Sequence, residues 1–348
     1  MGGGVKEYSF NSKKIVLSLA TISFLASYAN AASGTTSPCS STNAQARSGS
    51  SSTSDSNKNY TISSGSNCSG ITLSNSGTSN VNVTIQSGGT LGNTHSISSL
   101  VLKPSGSTNA TLTLINEGTI KSRVDIENNN GSFTGTITVK TFENKGTIGG
   151  QVNMGIFDSS KGTISIDTFK NSGTITGTGE YGRGVFFMDI HSAIKTFENT
   201  GFISGDGYNC IDGNLHTGGG VVMSGGTIET FRNSGTIQST GKTNDPAGVK
   251  LNYATVKTFE NTGTISGLNG FLTTKGTIET FKNSGIIEST SKGGREAAIK
   301  IQAVYSNTSS ITHFTNTGTI KSDSNGVLVE SGNKIGTLTN KGTIESKS

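Results

Sequence analysis

The chain contains little of the material from which a globular enzyme core is built. It has no Trp, only 6% aromatic residues and 30% hydrophobic residues, but 49 Gly among 348 residues. This composition argues against one large globular core. A stacked repeat needs only a thin apolar interior, because each repeat is covered by its neighbours. Low hydrophobicity therefore does not require disorder, except in the stretch 33–59, where apolar residues are nearly absent.

Charge is also sparse, since Asp, Glu, Lys and Arg make up 14% of the residues and the formal net charge is +5. Lys and Arg are scattered singly, with no basic cluster interleaved with aromatic residues, so nucleic acid is not an expected partner. The four His show no HExxH spacing and no Cys-x-x-Cys partner, and no Gly-x-Ser-x-Gly element is present. We therefore predict that the protein binds no metal or cofactor, has no catalytic residues and is not an enzyme.

The first thirty-one residues have the three parts of a secretory signal peptide. Lys6, Lys13 and Lys14 give a positive start, 15–28 is a short apolar run, and Ala29-Asn30-Ala31 is a small-x-small cleavage site. The apolar run is too short to span a bilayer. The sequence thus predicts an exported protein, at the cell surface or outer membrane or in the medium.

Three cysteines are few for an exported chain of this length. Cys39 and Cys68 flank the polar stretch that precedes the repeats, and Cys210 stands alone in a loop segment. Exported compartments are oxidising, so a Cys39–Cys68 disulfide that staples this end is one interpretation, and three free thiols are the alternative.

One phrase, of the form TFxNxGTI, recurs nine times between Thr113 and Ile344, with steps of 22 to 34 residues between copies. A constant phrase with variable spacing predicts a solenoid with loops inserted between identical turns. Gly, Thr and Asn are poor helix formers, whereas the β-branched Thr and Ile suit strands. The Asn of the phrase recurs at positions 116, 144, 171, 199, 233, 261, 283, 316 and 340.

The phrase predicts a strand, a corner and a second strand. Phe or Leu and, six residues later, Ile would form two inward ladders, and Asn-x-Gly would form the corner, with each Asn bonded to the Asn above and below. A third apolar strand follows each variable loop. We therefore predict an all-β, right-handed parallel β-helix over 113–348 with about nine marked repeats, an N-terminal cap with the first irregular coils over 60–112 and a flexible Ser/Thr/Gly/Asn-rich head over 32–59.

A signal sequence, a polar head and tandem TFxNxGTI coils resemble the passenger domain of autotransporters, the type V secreted proteins of Gram-negative bacteria. Together with the stretch KKIVLSLATISFLASYANA (13–31), the phrase is most similar to autotransporters of the Campylobacter and Helicobacter group. The resemblance implies delivery to the cell surface and an adhesin or virulence role. Such passengers are followed by a membrane β-barrel that these 348 residues do not contain, so we expect contact with the outer membrane only through a barrel absent from this chain.

Insertions at one corner of a solenoid emerge along one edge, which makes that edge the candidate contact surface. The loops before the third strands are taken as this variable edge, with a host-cell protein or glycan as the hypothetical partner and a monomer as the expected state. Its candidate binding residues are Tyr181, Arg183, Asp206, Tyr208, Asp212, Lys242, Lys292 and Arg295.

Two alternatives stay open. Asp206 and Asp212 share one loop, and Asp189 and His191 lie on the preceding third strand, an arrangement faintly similar to the acidic segment of polygalacturonases. A β-helical polysaccharide lyase or hydrolase would need such an acid cluster on one face, but the other polygalacturonase elements are missing. A structural stalk that binds nothing is the second alternative.

Overall fold

The computed structural model of the protein describes residues 46–47, 57–73, 79–92, 97–128, 133–156, 161–179, 182–188, 192–207, 218–242, 245–303 and 308–347. All of them belong to one compact unit, Thr36–Ser348. Among these residues no helix is long and apolar enough to cross a membrane.

The described chain winds through three parallel sheets of eleven strands each, and every strand pairs with the strand three places later in the sequence. One strand from each sheet makes one coil, so the protein is a parallel β-helix, which confirms the expected fold class. The short corner and the alternation of inward and outward residues keep each strand in the same sheet in every coil.

The Phe sheet carries the first half of the repeated phrase. Inward residues alternate with outward ones, which buries Phe and Asn and leaves charged residues at the surface. Its strands are Asn57–Ile62, Ser79–Ile85, Ala110–Asn116, Thr136–Asn144, Thr163–Asn171, Ala193–Asn199, Thr227–Asn233, Thr255–Asn261, Thr277–Asn283, Ser310–Asn316 and Lys334–Asn340.

The Ile sheet follows directly after the Asn-x-Gly corner. Its strands are two to four residues long and bury the Ile that closes the phrase, except in the last coil, where Ile344 is exposed. They are Asn67–Cys68, Thr90–Leu91, Thr119–Ile120, Thr147–Ile148, Thr174–Gly177, Phe202–Gly205, Thr236–Ser239, Thr264–Gly267, Ile286–Ser289, Thr319–Ser322 and Thr343–Ser346.

The third sheet closes each coil and has no repeated sequence of its own. Several of its strands are buried on both faces. The strands are Ala46–Arg47, Ile71–Leu73, Ser98–Leu102, Arg123–Asn128, Val152–Ile156, Arg183–Met188, Gly219–Ser224, Ala247–Asn252, Asn269–Thr274, Ala297–Gln302 and Asn325–Val329.

The predicted aromatic column is confirmed. Successive rings lie with centroids 4.5–4.9 Å apart and planes within 11° of parallel, a stacked arrangement that adds to the stabilisation from burial. Phe314 ends the column with its ring edge-on to that of Phe281. The six stacked rings have no exposed surface and belong to Phe142, Phe169, Phe197, Phe231, Phe259 and Phe281.

The predicted Asn ladder is also present at the corner. Each Asn Nδ2 from Asn116 to Asn316 donates to the Oδ1 of the Asn in the next coil at 2.7–2.8 Å. The same nitrogen also faces backbone carbonyls of the corner, such as Gly235 O and Thr264 O for Asn233. Buried amides are thereby paired, which offsets the cost of removing them from water.

The glycine of the corner is required by packing. A Cβ added at Gly235 would lie 2.1 Å from the carbonyl oxygen of Gly201 in the preceding coil. Real Cβ atoms do not approach a backbone oxygen so closely, and the same clash recurs at Gly173, Gly263 and Gly285. The corner therefore keeps Gly in every copy of the phrase.

The coils begin earlier in the chain than expected. Two coils precede the nine marked repeats and pair into the same three sheets. Strand Asn57–Ile62 and the short strand Ala46–Arg47 also begin within the predicted head. Polar residues can form this first strand because Asn82 Nδ2 donates to Asn59 Oδ1 at 2.7 Å, the same kind of amide pair that holds the corner.

Candidate functional site: the variable edge

The variable loops leave the β-helix between the Ile sheet and the third sheet, as the sequence predicts. Their lengths range from the single residue Leu268 to residues 206–218. The strands on either side stay in register across these loops; Ile203 pairs with Ile237 and Val221 pairs with Val249 in adjacent coils. Loop length at this corner is therefore independent of the stack beneath it.

A second variable edge lies between the third sheet and the Phe sheet, which sequence reasoning missed. The connection is two residues long at 253–254 and 275–276 but seven residues long at 303–309. Variation is therefore not confined to the corner before the third strands, which the sequence analysis took as the variable edge. Both edges contribute to the 33-residue step between Asn283 and Asn316, because 290–296 and 303–309 fall within it.

Three of the predicted contact residues are exposed on the variable edge. Lys242 lies in the loop before Ala247–Asn252, and Lys292 and Arg295 lie in the loop before Ala297–Gln302. These third-sheet strands are two coils apart, or about 10 Å at the usual strand spacing. The exposed cations of this edge therefore come from separate loops that the stack holds near one another.

Asp206 has a structural role at the base of its loop. Its Oδ1 accepts a hydrogen bond from the backbone N–H of Gly179 at 2.9 Å, in the loop of the preceding coil. Beside it, the N–H of Gly207 donates to the carbonyl of Gly182 at 2.8 Å. The carboxylate thus fastens two neighbouring loops of the variable edge to each other.

Arg183 does not lie on the variable edge as predicted. It begins strand Arg183–Met188, only 5% of its surface is exposed, and its guanidinium carbon lies 4.0 Å from the ring centroid of Phe186. A guanidinium over an aromatic face is attracted by the ring quadrupole. The arginine therefore covers an outward-facing aromatic ring instead of pointing into solvent.

The remaining predicted positions lie outside the described residues: Tyr181, Tyr208 and Asp212 of the variable edge, and Asp189 and His191 of the enzymatic alternative. Cys39 is outside them as well. Cys68 is buried in the Ile column and is disulfide-bonded. Its partner is not among the described residues, so the Cys39–Cys68 pairing stays a prediction.

The outer face of the third sheet is buried along much of its length, which the sequence analysis did not foresee. Phe186, Val222 and Leu272 are at most 2% exposed, yet none of them joins the interior core. The signal was present in the sequence, because strands such as GVFFM and GVVM are apolar at consecutive positions, a pattern typical of strands covered on both faces.

One loop of the variable edge lies back over this face. Lys300 points outward from the third sheet, is 3% exposed, and has its Nζ 3.6 Å from Asp245 and 3.8 Å from Glu330. Asp245 belongs to the loop before Ala247–Asn252, two coils away, and has a left-handed backbone with φ 54°. Its carboxylate, together with that of Glu330, compensates a lysine that would otherwise be buried without a counter-charge.

A polar network occupies the same outer face nearer the N-terminus. Asp125 is 3% exposed and accepts hydrogen bonds from Ser98, from Asn153 at 2.9 Å and from Arg123 at 3.0 Å. Burial, and then the neighbouring Asp125, raise the pKa of Glu127. Three donors surround the Asp125 carboxylate, which therefore has a structural role in this network.

No group of three or more His, Cys, Asp or Glu side chains in the described part of the chain is arranged to hold a metal ion. Comparison with models of known families, with curated proteins and with solved structures finds no match for the chain. The candidate site therefore rests on its own geometry: a regular stack that displays loops of different length along one edge.

Proposed function

We propose that the protein is an exported β-helical passenger of the autotransporter kind that acts as a surface adhesin and binds a host-cell protein or glycan through the variable edge. The observation that supports this most is the contrast between an interior that repeats from coil to coil and loops at one corner that differ in every coil. Binding residues are commonly found on loops held by a rigid scaffold.

The exposed charges favour the loop at 290–296 as part of the contact surface. Lys292 and Arg295 are both exposed there, whereas Arg183 and Asp206 are engaged within the protein. Two cations on a Gly-rich loop suit an acidic protein surface or an acidic glycan.

The test replaces residues 290–296 with a single Leu, the length that the chain itself uses at Leu268, and measures attachment of the exported full chain to host cells and to matrix coatings. A matched variant shortens the other edge instead by deleting 304–307, which keeps the buried Ser309 and its hydrogen bonds. We expect the first variant to lose attachment and the second to keep it, with both retaining wild-type thermal stability.

Unchanged attachment after loss of 290–296, and likewise after shortening of 206–218, would favour an inert stalk. Turnover of a polysaccharide by the wild-type chain that disappears in Asp212→Asn would favour the enzymatic alternative. Asp206→Asn is a weaker probe, because it would also weaken the tie to Gly179.

A further inference from the structure

The outward surface of the Phe sheet carries two rows of charges that alternate in sign from coil to coil. The first row, two residues before each Phe, has the order Lys140, Asp167, Lys195, Glu229, Lys257, Glu279. The second row, one residue after each Phe, has the opposite order Glu143, Lys170, Glu198, Arg232, Glu260, Lys282. We call these twelve residues the checkerboard.

The register of the sheet brings the charges of each row next to one another. In the second row Glu198 pairs directly with Lys170 below it and with Arg232 above it. In the first row Asp167 Oδ1 is 2.7 Å from Lys195 Nζ and its Oδ2 is 3.0 Å from Lys140 Nζ. Every charge inside the checkerboard therefore has an opposite charge in the coil before it and in the coil after it.

Further ion pairs follow the same pattern. Glu260 is held between Arg232 at 3.0 Å and Lys282 at 3.2 Å, and Lys257 lies 3.7 Å from Glu229. These side chains are partly exposed, so each pair by itself contributes little. All of these ion pairs depend on the order in which the coils stack.

Three columns of the interior do not distinguish one coil from another. The Phe column, the Asn ladder and the Ile ladder repeat the same residue at each step. If a coil were looped out, Phe169 would stack on Phe231 as well as Phe197 does, and Asn171 would bond to Asn233 in the same way. A stack of identical rungs is prone to such errors of pairing.

The checkerboard does distinguish them. Looping out the coil that contains Lys195 would place Asp167 beside Glu229 and Lys170 beside Arg232, so that like charges meet in both rows. The alternation is also confined to the coils in which the interior is repetitive: the six checkerboard coils are the six coils with stacked Phe rings, while the coils with Leu114 and Leu338 in that column lack it.

We infer that the checkerboard opposes the omission of a single coil during stacking, because the loss of any one of its four inner coils brings like charges together. This inference concerns assembly of the β-helix and is independent of what the variable edge binds. It predicts that correct stacking depends on the alternation of charge from coil to coil and not on which sign stands at any one position.

The test exchanges the two charged residues within a coil, which leaves amino-acid composition and net charge unchanged. The single-coil variant Lys195→Glu/Glu198→Lys creates like-charge neighbours on both sides. The full variant makes the same exchange in all six coils, which inverts every sign and restores the alternation. A neutral variant, Lys195→Gln/Glu198→Gln, removes the attraction without adding repulsion.

Cysteine pairs report the stacking after refolding under reducing conditions and subsequent oxidation. Thr196→Cys with Thr230→Cys joins adjacent coils, because these residues pair in the structure. The pair Thr168→Cys/Thr230→Cys can form a disulfide only if the coil between them is looped out. In the correct stack these positions are two strand spacings apart, about 9.6 Å, which exceeds the reach of a disulfide. Peptide mapping separates these products from those of the chain's own cysteines.

The disulfide between positions 168 and 230 reports a looped-out coil. We expect its yield to increase by about tenfold in the single-coil variant, by less in the neutral variant, and not at all in the full variant. The excess should shrink in about 1 M salt, where the Debye length is about 3 Å. Failure of the single-coil variant to fold while the full variant folds would also support the inference. A full variant that misassembles as much as the single-coil variant, or a single-coil variant that behaves like the wild type, would overturn it.

Discussion

Replacing Asn233 with alanine removes one rung from the middle of the Asn ladder. Its Oδ1 accepts from Asn199 Nδ2 and its Nδ2 donates to Asn261 Oδ1, both at 2.8 Å. After the change the Asn261 Oδ1 has no donor in a buried site, which costs about 1–3 kcal/mol, and the Asn199 amide loses one of its acceptors at about 1 kcal/mol. We expect a total loss of about 2–4 kcal/mol.

The first rung of the ladder provides a matched comparison. Asn116 pairs in the sheet with Ile85, which has no side-chain amide, and its buried Oδ1 has no hydrogen-bond partner among the described residues. Asn116→Ala leaves Asn144 Oδ1 without a donor, but it also removes an oxygen that was already unpaired. The two terms are each about 1–3 kcal/mol and opposite in sign, so the net cost should be about 1 kcal/mol or less.

The measurement is equilibrium unfolding in guanidinium chloride, read as a shift of the midpoint at constant slope. A solenoid can unfold in parts, so hydrogen exchange of the amides in 227–240 supplies a local second reading for Asn233→Ala. Both variants delete the same type of side chain from the same corner. The difference between their losses in stability therefore measures what an uninterrupted ladder contributes. Equal losses in the two variants would refute the reasoning that an uninterrupted chain of amides stabilises the corner.

Three further changes probe other parts of the β-helix. Phe231→Ala should cost about 3–5 kcal/mol by opening a cavity between two stacked rings, measured by denaturant unfolding; a surface-like loss below about 1 kcal/mol would contradict burial of the column. Lys275→Gly should change stability by less than about 1 kcal/mol in thermal unfolding, because relief of the left-handed backbone at Lys275 (φ 55°), where the equivalent residue two coils earlier is Gly225, offsets the loss of its contact with the Tyr253 ring. Hydrogen bonds from Lys195 and Lys140 lower the pKa of Asp167. Its contribution to the free energy of unfolding is therefore complete above the unfolded pKa near 4 and is lost as pH falls through the lower folded pKa. Asp167→Asn should flatten the curve of stability against pH in that acidic window.

The sequence predicted the parts of the fold that repeat. The Phe column, the Asn ladder and the order of the three strands follow from nine copies of one phrase, because a residue that recurs at one offset must meet its own copy in the next coil. The surroundings of Arg183 and Lys300 could not be predicted this way. Their partners, Phe186 and Asp245, occur once each and are brought near by the path of individual loops and strands.

The three corners of the coil differ in what they tolerate, and the difference has a physical cause. At the Asn-x-Gly corner an insertion would separate amides bonded at 2.8 Å and displace a glycine packed against the carbonyl below, and none of the nine copies has one. At the other two corners the main cost of an insertion is loop closure. Lengthening a loop from one residue to thirteen, as from Leu268 to 206–218, costs about 2 kcal/mol by that entropy. This cost is comparable to the stability contributed by one rung of the Asn ladder, so a stack of eleven coils can carry several long loops. New recognition surfaces can therefore arise at two corners while the third keeps the coils in place.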